Sequence, residues 1–161
     1  MKILPKNKAF FIRLKKFCKE ILDICKKNEV TPIAYGGLIY FAYTRNKNYA
    51  IKDIDFLIPE NSFNRIMKDL KKKGIKYKYY PKWHTMPIFK GNLRIELDST
   101  DFWQKNLPKD FRYFDFDGLV VKAVSLDTII KIYKHASEVS KDKPEQHLKR
   151  FEALKKLKEL K

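Results

Sequence analysis

The stretch IAYGGLIYFAYTRNKNYAIKDIDFLIP, residues 33–59, decides how the rest of the chain is read. An apolar run ends at Gly36-Gly37, a short aromatic segment follows over 38–44, and TRNKN at 44–48 makes a polar, basic loop. A second apolar run then carries Asp53 and Asp55 and stops at Pro59. Strand side chains alternate, so Asp53 and Asp55 share one face while Ile54 and Phe56 point into the core. Two carboxylates side by side repel each other; a divalent cation relieves the repulsion, and paired oxygen donors suit Mg²⁺. The glycines stand where a strand hands over to a helix. Backbone N–H groups and the helix dipole favour a phosphate there, and the missing side chains let it come close. A phosphate cradle followed by a carboxylate pair points to nucleotide chemistry.

These residues resemble the signature of the nucleotidyltransferase superfamily with the DNA polymerase β-like fold: a Gly-Gly or Gly-Ser turn, a short helix, then an Asp-x-Asp strand. The likeness is to small bacterial and archaeal members, such as antibiotic nucleotidyltransferases and the nucleotidyltransferase-type toxins and antitoxins. Gly36 and Gly37 match the glycine pair, and Asp53 and Asp55 match the two metal-binding carboxylates. The family uses a third acid on a neighbouring strand, and LRIELD at 93–98 offers Glu96, flanked by apolar residues, or Asp98 on the same face.

The resemblance implies an α+β fold, a mixed β-sheet flanked by helices, as one domain over 1–161. It would have a helical N-terminal segment at 8–28, a core over 30–124 and C-terminal helices over 125–160. It implies Mg²⁺-dependent (or Mn²⁺-dependent) transfer of a nucleoside monophosphate from a nucleoside triphosphate such as ATP to an acceptor hydroxyl, releasing pyrophosphate. Asp53, Asp55 and Glu96 would be catalytic, the same three with Asp98 would supply metal ligands, and Gly36, Gly37 and Lys52 would lie against the phosphates. The tail from Val124 also resembles the family: SLDTII opens a helix, and Lys141-Asp142 leads to a closing one. A similar tail packs beside the cleft in small members, which would bring Lys131 and Lys134 to the phosphates. Either lysine also reads as plain surface.

A chain of 161 residues suits one domain. Its 44% hydrophobic and 34% charged content is a globular balance. The net charge of +17 sets up a broad positive field that attracts anions. It favours RNA, tRNA, DNA or an anionic protein over a cationic aminoglycoside as partner; a lysine-rich surface kept for solubility is the plainer account. Cys18 and Cys25 sit two turns apart on one helix face, too distant for a disulfide, and read as buried, reduced thiols. With no apolar run of membrane-span length and no secretory h-region, the chain is expected to be soluble and cytoplasmic.

The remaining pattern predicts a helix over 8–28, a strand near 30–35, a strand over 53–58, and a helix capped by Asn61 or Ser62 that stops at Gly74. IKYKYY at 75–80 alternates like a half-exposed strand. Its lysines and tyrosines suit a polynucleotide, but more simply protect a sheet edge. Hairpins follow at 86–98, around Gly91-Asn92, and at 113–124, around Asp117-Gly118, with an irregular or briefly helical segment at 101–112 between them. Ser125 caps a helix, and 145–160 forms the last one. His84, His135 and His147 lack zinc-ligand spacing, His84 reading as a surface-loop residue, and no P-loop is present. The rival to an enzyme is a non-catalytic, basic nucleic-acid-binding or partner-binding protein on the same fold.

Overall fold

The computed structural model describes residues 4–103 and 110–160. Its centre is β1 (Ile33–Tyr35), a short strand that runs into Gly36 and then α2 (Gly37–Thr44). Beside β1 lies β2 (Ile54–Ile58), antiparallel, with Tyr35 opposite Asp55. The sheet grows outward on both sides. β3 (Lys76–Tyr77), β4 (Thr85–Lys90) and β5 (Leu93–Ser99) extend it past β2, and β6 (Phe111–Asp115) and β7 (Val120–Val124) extend it past β1. The order is β3-β4-β5-β2-β1-β7-β6, with β2–β5 and β1–β7 parallel and the other pairs antiparallel. This is the mixed α+β sheet the sequence predicts.

One face of the sheet is the core. Ile54, Phe56, Ile58, Ile88, Ile95 and Leu97 are fully buried on it. It is covered by α1 (Lys8–Lys27) and α3 (Phe63–Lys72). The apolar stripe of α1 supplies Phe11, Leu14, Phe17, Cys18, Ile21 and Cys25, all essentially inaccessible. Each of these Phe, Leu and Ile side chains contributes about 1.5–3 kcal/mol by leaving water. The other face carries the carboxylates, and α5 (Leu126–Val139) and α6 (Pro144–Glu159) pack together over it.

Local chemistry explains most boundaries. The Ser125 hydroxyl accepts from the Thr128 N–H at 3.2 Å, the expected cap of α5. Asp117 and Gly118 both have positive φ (54° and 98°), which suits a hairpin turn matched to strand twist. The expected cap of α3 is different. A 3₁₀ turn over Glu60–Ser62 leads into α3, and the Ser62 hydroxyl donates backward to the Pro59 carbonyl at 2.6 Å. The strand expected over 75–80 is also shorter, with only Lys76–Tyr77 continuous. Lys78 still donates its N–H to the Pro87 carbonyl at 3.0 Å, but Pro87 has no N–H to return. Tyr80 rejoins the ladder opposite Thr85. In the segment expected to be irregular, α4 takes Thr100–Trp103, while residues 104–109, Pro108 included, lie outside the described residues.

Candidate active site

The register of the parallel pair β2–β5 builds the site. It sets Asp55 beside Glu96 and Leu57 beside Asp98, so both acids of β5 face the same way as Asp55. Oxygens of Asp55, Glu96 and Asp98 lie within 4.8 Å of one another, the one such cluster among the described residues. Asp53 stands one residue before β2 and is not a member of that cluster. Burial and then the Glu96 charge raise its pKa, while Arg94, Arg150 and Lys52 oppose the rise. Asp55 is raised well above the carboxylate range, first by burial and then by Asp53, Glu96 and Asp98. The site is short of positive charge.

The two acids of β5 are not equivalent. Asp98 is 3% exposed, and accepts hydrogen bonds from the Tyr35 hydroxyl and the Thr85 hydroxyl. Burial and Glu96 push it up to about 7 despite those bonds. Glu96 stands level with Asp55, reaches solvent, and accepts a 2.7 Å hydrogen bond from Arg94 Nη2. Asp98 therefore lies deeper and is held by the protein, whereas Glu96 faces the opening.

Each glycine is required by a neighbour. Gly36 has φ +76°, and a Cβ there would overlap the Asp55 carboxylate. A Cβ on Gly37 would overlap the Tyr49 hydroxyl. The turn thus lies directly against the acid and leaves the first turn of α2 open to the cleft. That cleft, about 340 Å³, is lined by Tyr35, Gly36, Gly37, Asp55 and Glu96 on the sheet side. Ile132, Tyr133 and Ala136 of α5, and His147 and Arg150 of α6, form its opposite wall.

Arg150 and His147 are the members that sequence reasoning missed. Arg150 donates to the Tyr133 and Tyr49 hydroxyls, each at 3.3 Å, and lies 5.4–5.7 Å from the ring centres of Tyr40, Tyr49 and Tyr133. It makes no carboxylate ion pair among the described residues. A guanidinium held by phenols beside a glycine turn has the chemistry to receive an anion. His147 stacks obliquely on Tyr133, its rings 6.0 Å apart, and burial and Arg150 lower its pKa. One signal was available: positions 147, 150, 151 and 154 form one helical stripe, and Leu154 on it is fully buried.

The lysines fall elsewhere. Lys134 lies with Ser137, Glu138 and Leu148 in a hollow between α5 and α6, and Lys131 is exposed near Asp127. Neither lines the cleft. Lys52 is exposed beside Asp53. His84 is tied to Glu60, Nδ1 to Oε1 at 2.7 Å, away from the cleft lining.

The architecture has counterparts among solved structures. It is similar to ANT(2'')-Ia in complex with adenylyl-2''-tobramycin (TM-score 0.62, 16% identity, covering 91% of this chain and 93% of that one). It is also similar to the lincosamide antibiotic adenylyltransferase LnuA, lincomycin-bound (0.58, 14%, 86% and 96%). A third counterpart is an antigenic nucleotidyltransferase-like protein from Paracoccidioides brasiliensis (0.59, 13%, 88% and 74%). No protein-family model matches the chain, and no curated protein matches it. The fold is that of the nucleotidyltransferases. Among the described residues, no helix is long and apolar enough to cross a membrane.

Proposed function

We propose that this chain transfers a nucleoside monophosphate from a nucleoside triphosphate to an acceptor hydroxyl, with a divalent cation. The observation that carries the proposal is the meeting of Asp55, Glu96 and the Gly36 turn in one cleft with Arg150 on its far wall. The donor set is all carboxylate oxygen, which fits Mg²⁺ or Mn²⁺, and mutual repulsion adds to burial in raising the pKa values of Asp53 and Asp55. Asp53, Asp55 and Glu96 would hold the cation, with Asp98 fixed behind them by Tyr35 and Thr85. When bound it would neutralise charge on the phosphates during in-line displacement.

The chain's own residues do the rest. The start of α2, bare of side chains at Gly36 and Gly37, receives the phosphates. Arg150, pre-oriented by three tyrosines, offsets their charge. The acceptor oxygen bonds to the α-phosphorus as the α–β bridging P–O bond breaks, and pyrophosphate departs. Glu96, at the mouth, accepts the hydroxyl proton. Solved counterparts hold adenylyl-tobramycin or lincomycin. For this chain a net charge of +17 disfavours a polycationic acceptor and favours an anionic one.

The test uses triphosphate labelled at either the α- or the γ-phosphate, with candidate RNA and protein acceptors. Transfer of the α-label alone, lost in Asp53→Asn, is the expected result. Transfer of the γ-label, or of neither, contradicts it.

A further inference from the structure

The carboxylate face continues past β5 to the sheet edge, and the register fixes what it displays. Arg94 is opposite Phe89, and Phe89 is opposite Lys76. Glu96 is opposite Pro87, whose carbonyl receives the Lys78 N–H. Asp98 is opposite Thr85, which bridges to Tyr80. Opposed residues share a face. From β5 to the edge, one surface therefore presents Arg94, Phe89 and Lys76 in one row and Glu96, Pro87 and Lys78 in the next. Contacts agree with this placement: the Arg94 guanidinium lies 6.0 Å from the Phe89 ring centre, and Thr85 bonds Asp98.

This ledge is open. Lys76 and Lys78 are exposed, Tyr80 is 42% exposed, and Phe89 is half-buried at a shallow groove of about 630 Å³ that wraps the sheet edge, lined by both lysines together with Lys71, Ile75 and Tyr77. Arg94 Nη2 holds Glu96, and its Nε is buried with no hydrogen-bond partner among the described residues. By contrast, Lys90 points to the other face and is paired with Glu20. With strands about 4.8 Å apart, the ledge runs roughly 14 Å from the edge lysines to Asp55.

We propose that this ledge seats a single-stranded polynucleotide, its backbone on Lys76, Lys78 and Arg94 and a base stacked on Phe89, with one end delivered to Glu96 and Asp55. Cations that track a backbone beside an aromatic platform are the chemistry by which single strands are held. Naming this strand the acceptor rests on the proposed transfer reaction; the binding itself does not.

Fluorescence anisotropy with a labelled single-stranded RNA of about ten nucleotides, and a DNA of matching sequence, tests the inference. Between about 50 and about 200 mM salt, affinity should fall steeply. Lys76→Glu/Lys78→Glu should weaken binding about tenfold or more and reduce the log–log salt slope by about 1.4, at about 0.7 per phosphate contact. Phe89→Leu should weaken it while leaving the slope unchanged. Lys155→Glu/Lys156→Glu, exposed on α6, changes net charge equally and should have little effect. The RNA and DNA arms show which polynucleotide is preferred. Equal losses in the two lysine pairs, or no binding to either strand, overturn the inference. Mg²⁺-dependent triphosphate stabilisation, measured in parallel, should survive Lys76→Glu/Lys78→Glu. If it persists while binding ignores the ledge, the ledge fails and the transferase reading stands; if the parent protein lacks it, the transferase reading fails on its own.

Discussion

Asp55 and Gly36 are mutually constraining, since the acid occupies the space a side chain at the turn would need. Gly36→Ala pays twice, in a backbone conformation reserved for glycine and in displacement of the carboxylate. It is expected to cost about 1–3 kcal/mol and to abolish triphosphate binding. Calorimetry and nucleotide titration of that variant check both. Asp55→Asn has the opposite effect on stability. Replacing a buried ionisable carboxyl in a crowd that includes Asp53, Glu96 and Asp98 should raise Tm of the cation-free protein, by about 2–4 °C per kcal/mol of burial cost and repulsion relieved, while eliminating turnover. A fall in Tm would show that the carboxylates stabilise rather than strain the fold. The thiols give a third expectation. Burial raises Cys18 far above 9.0 and pushes Cys25 up to about 12. Both should resist alkylation until the protein unfolds. Unfolded thiols release protons above about pH 9 that the folded state retains, so stability is full below that pH and declines as pH rises toward 12. Tyr43, pushed up to about 12 by burial, adds to the decline. Denaturant titrations at pH 8 and 10 should show it, with a shallower loss in Cys25→Ala.

The helix α6 brings its arginine to α2 and the loop after it, far away in sequence. Arg150 joins Tyr49, Tyr40 and Tyr133 through hydrogen bonds and ring faces that a lysine cannot reproduce. Arg150→Lys is therefore expected to raise the triphosphate KM about tenfold or more, and an unchanged KM would remove Arg150 from the phosphate side. The strands and helices were largely legible in the sequence because alternation, helical spacing and Gly turns are local. The expected hairpins at 86–98 and 113–124 and the helices of the tail are present. So were the glycine turn and its acids, which one short stretch carries. Arg150 was not, because spacing within α6 shows a stripe but not which helix it meets. Lys131 and Lys134 read either as phosphate neighbours, by resemblance, or as plain surface; both lie outside the cleft lining, where α5 presents Ile132, Tyr133 and Ala136. The β3 ledge needed register, which only pairing supplies.

At the scale of the whole molecule, a net charge of +17 coexists with a cleft of crowded carboxylates. On the proposed reading, the net positive charge would draw polyanions in, while the crowded carboxylates would repel a triphosphate until a dication enters. Nucleotide binding should therefore depend on the cation far more than on bulk charge. The most direct test is thermal unfolding of the purified chain with each nucleoside triphosphate, with and without Mg²⁺, beside Asp53→Ala/Asp55→Ala. A triphosphate at about a hundred times its Kd should stabilise the parent by about 2.7 kcal/mol, only with Mg²⁺, and not the double variant. Stabilisation that is equal without Mg²⁺, or equal in the double variant, would contradict a nucleotidyltransferase centre built on these acids.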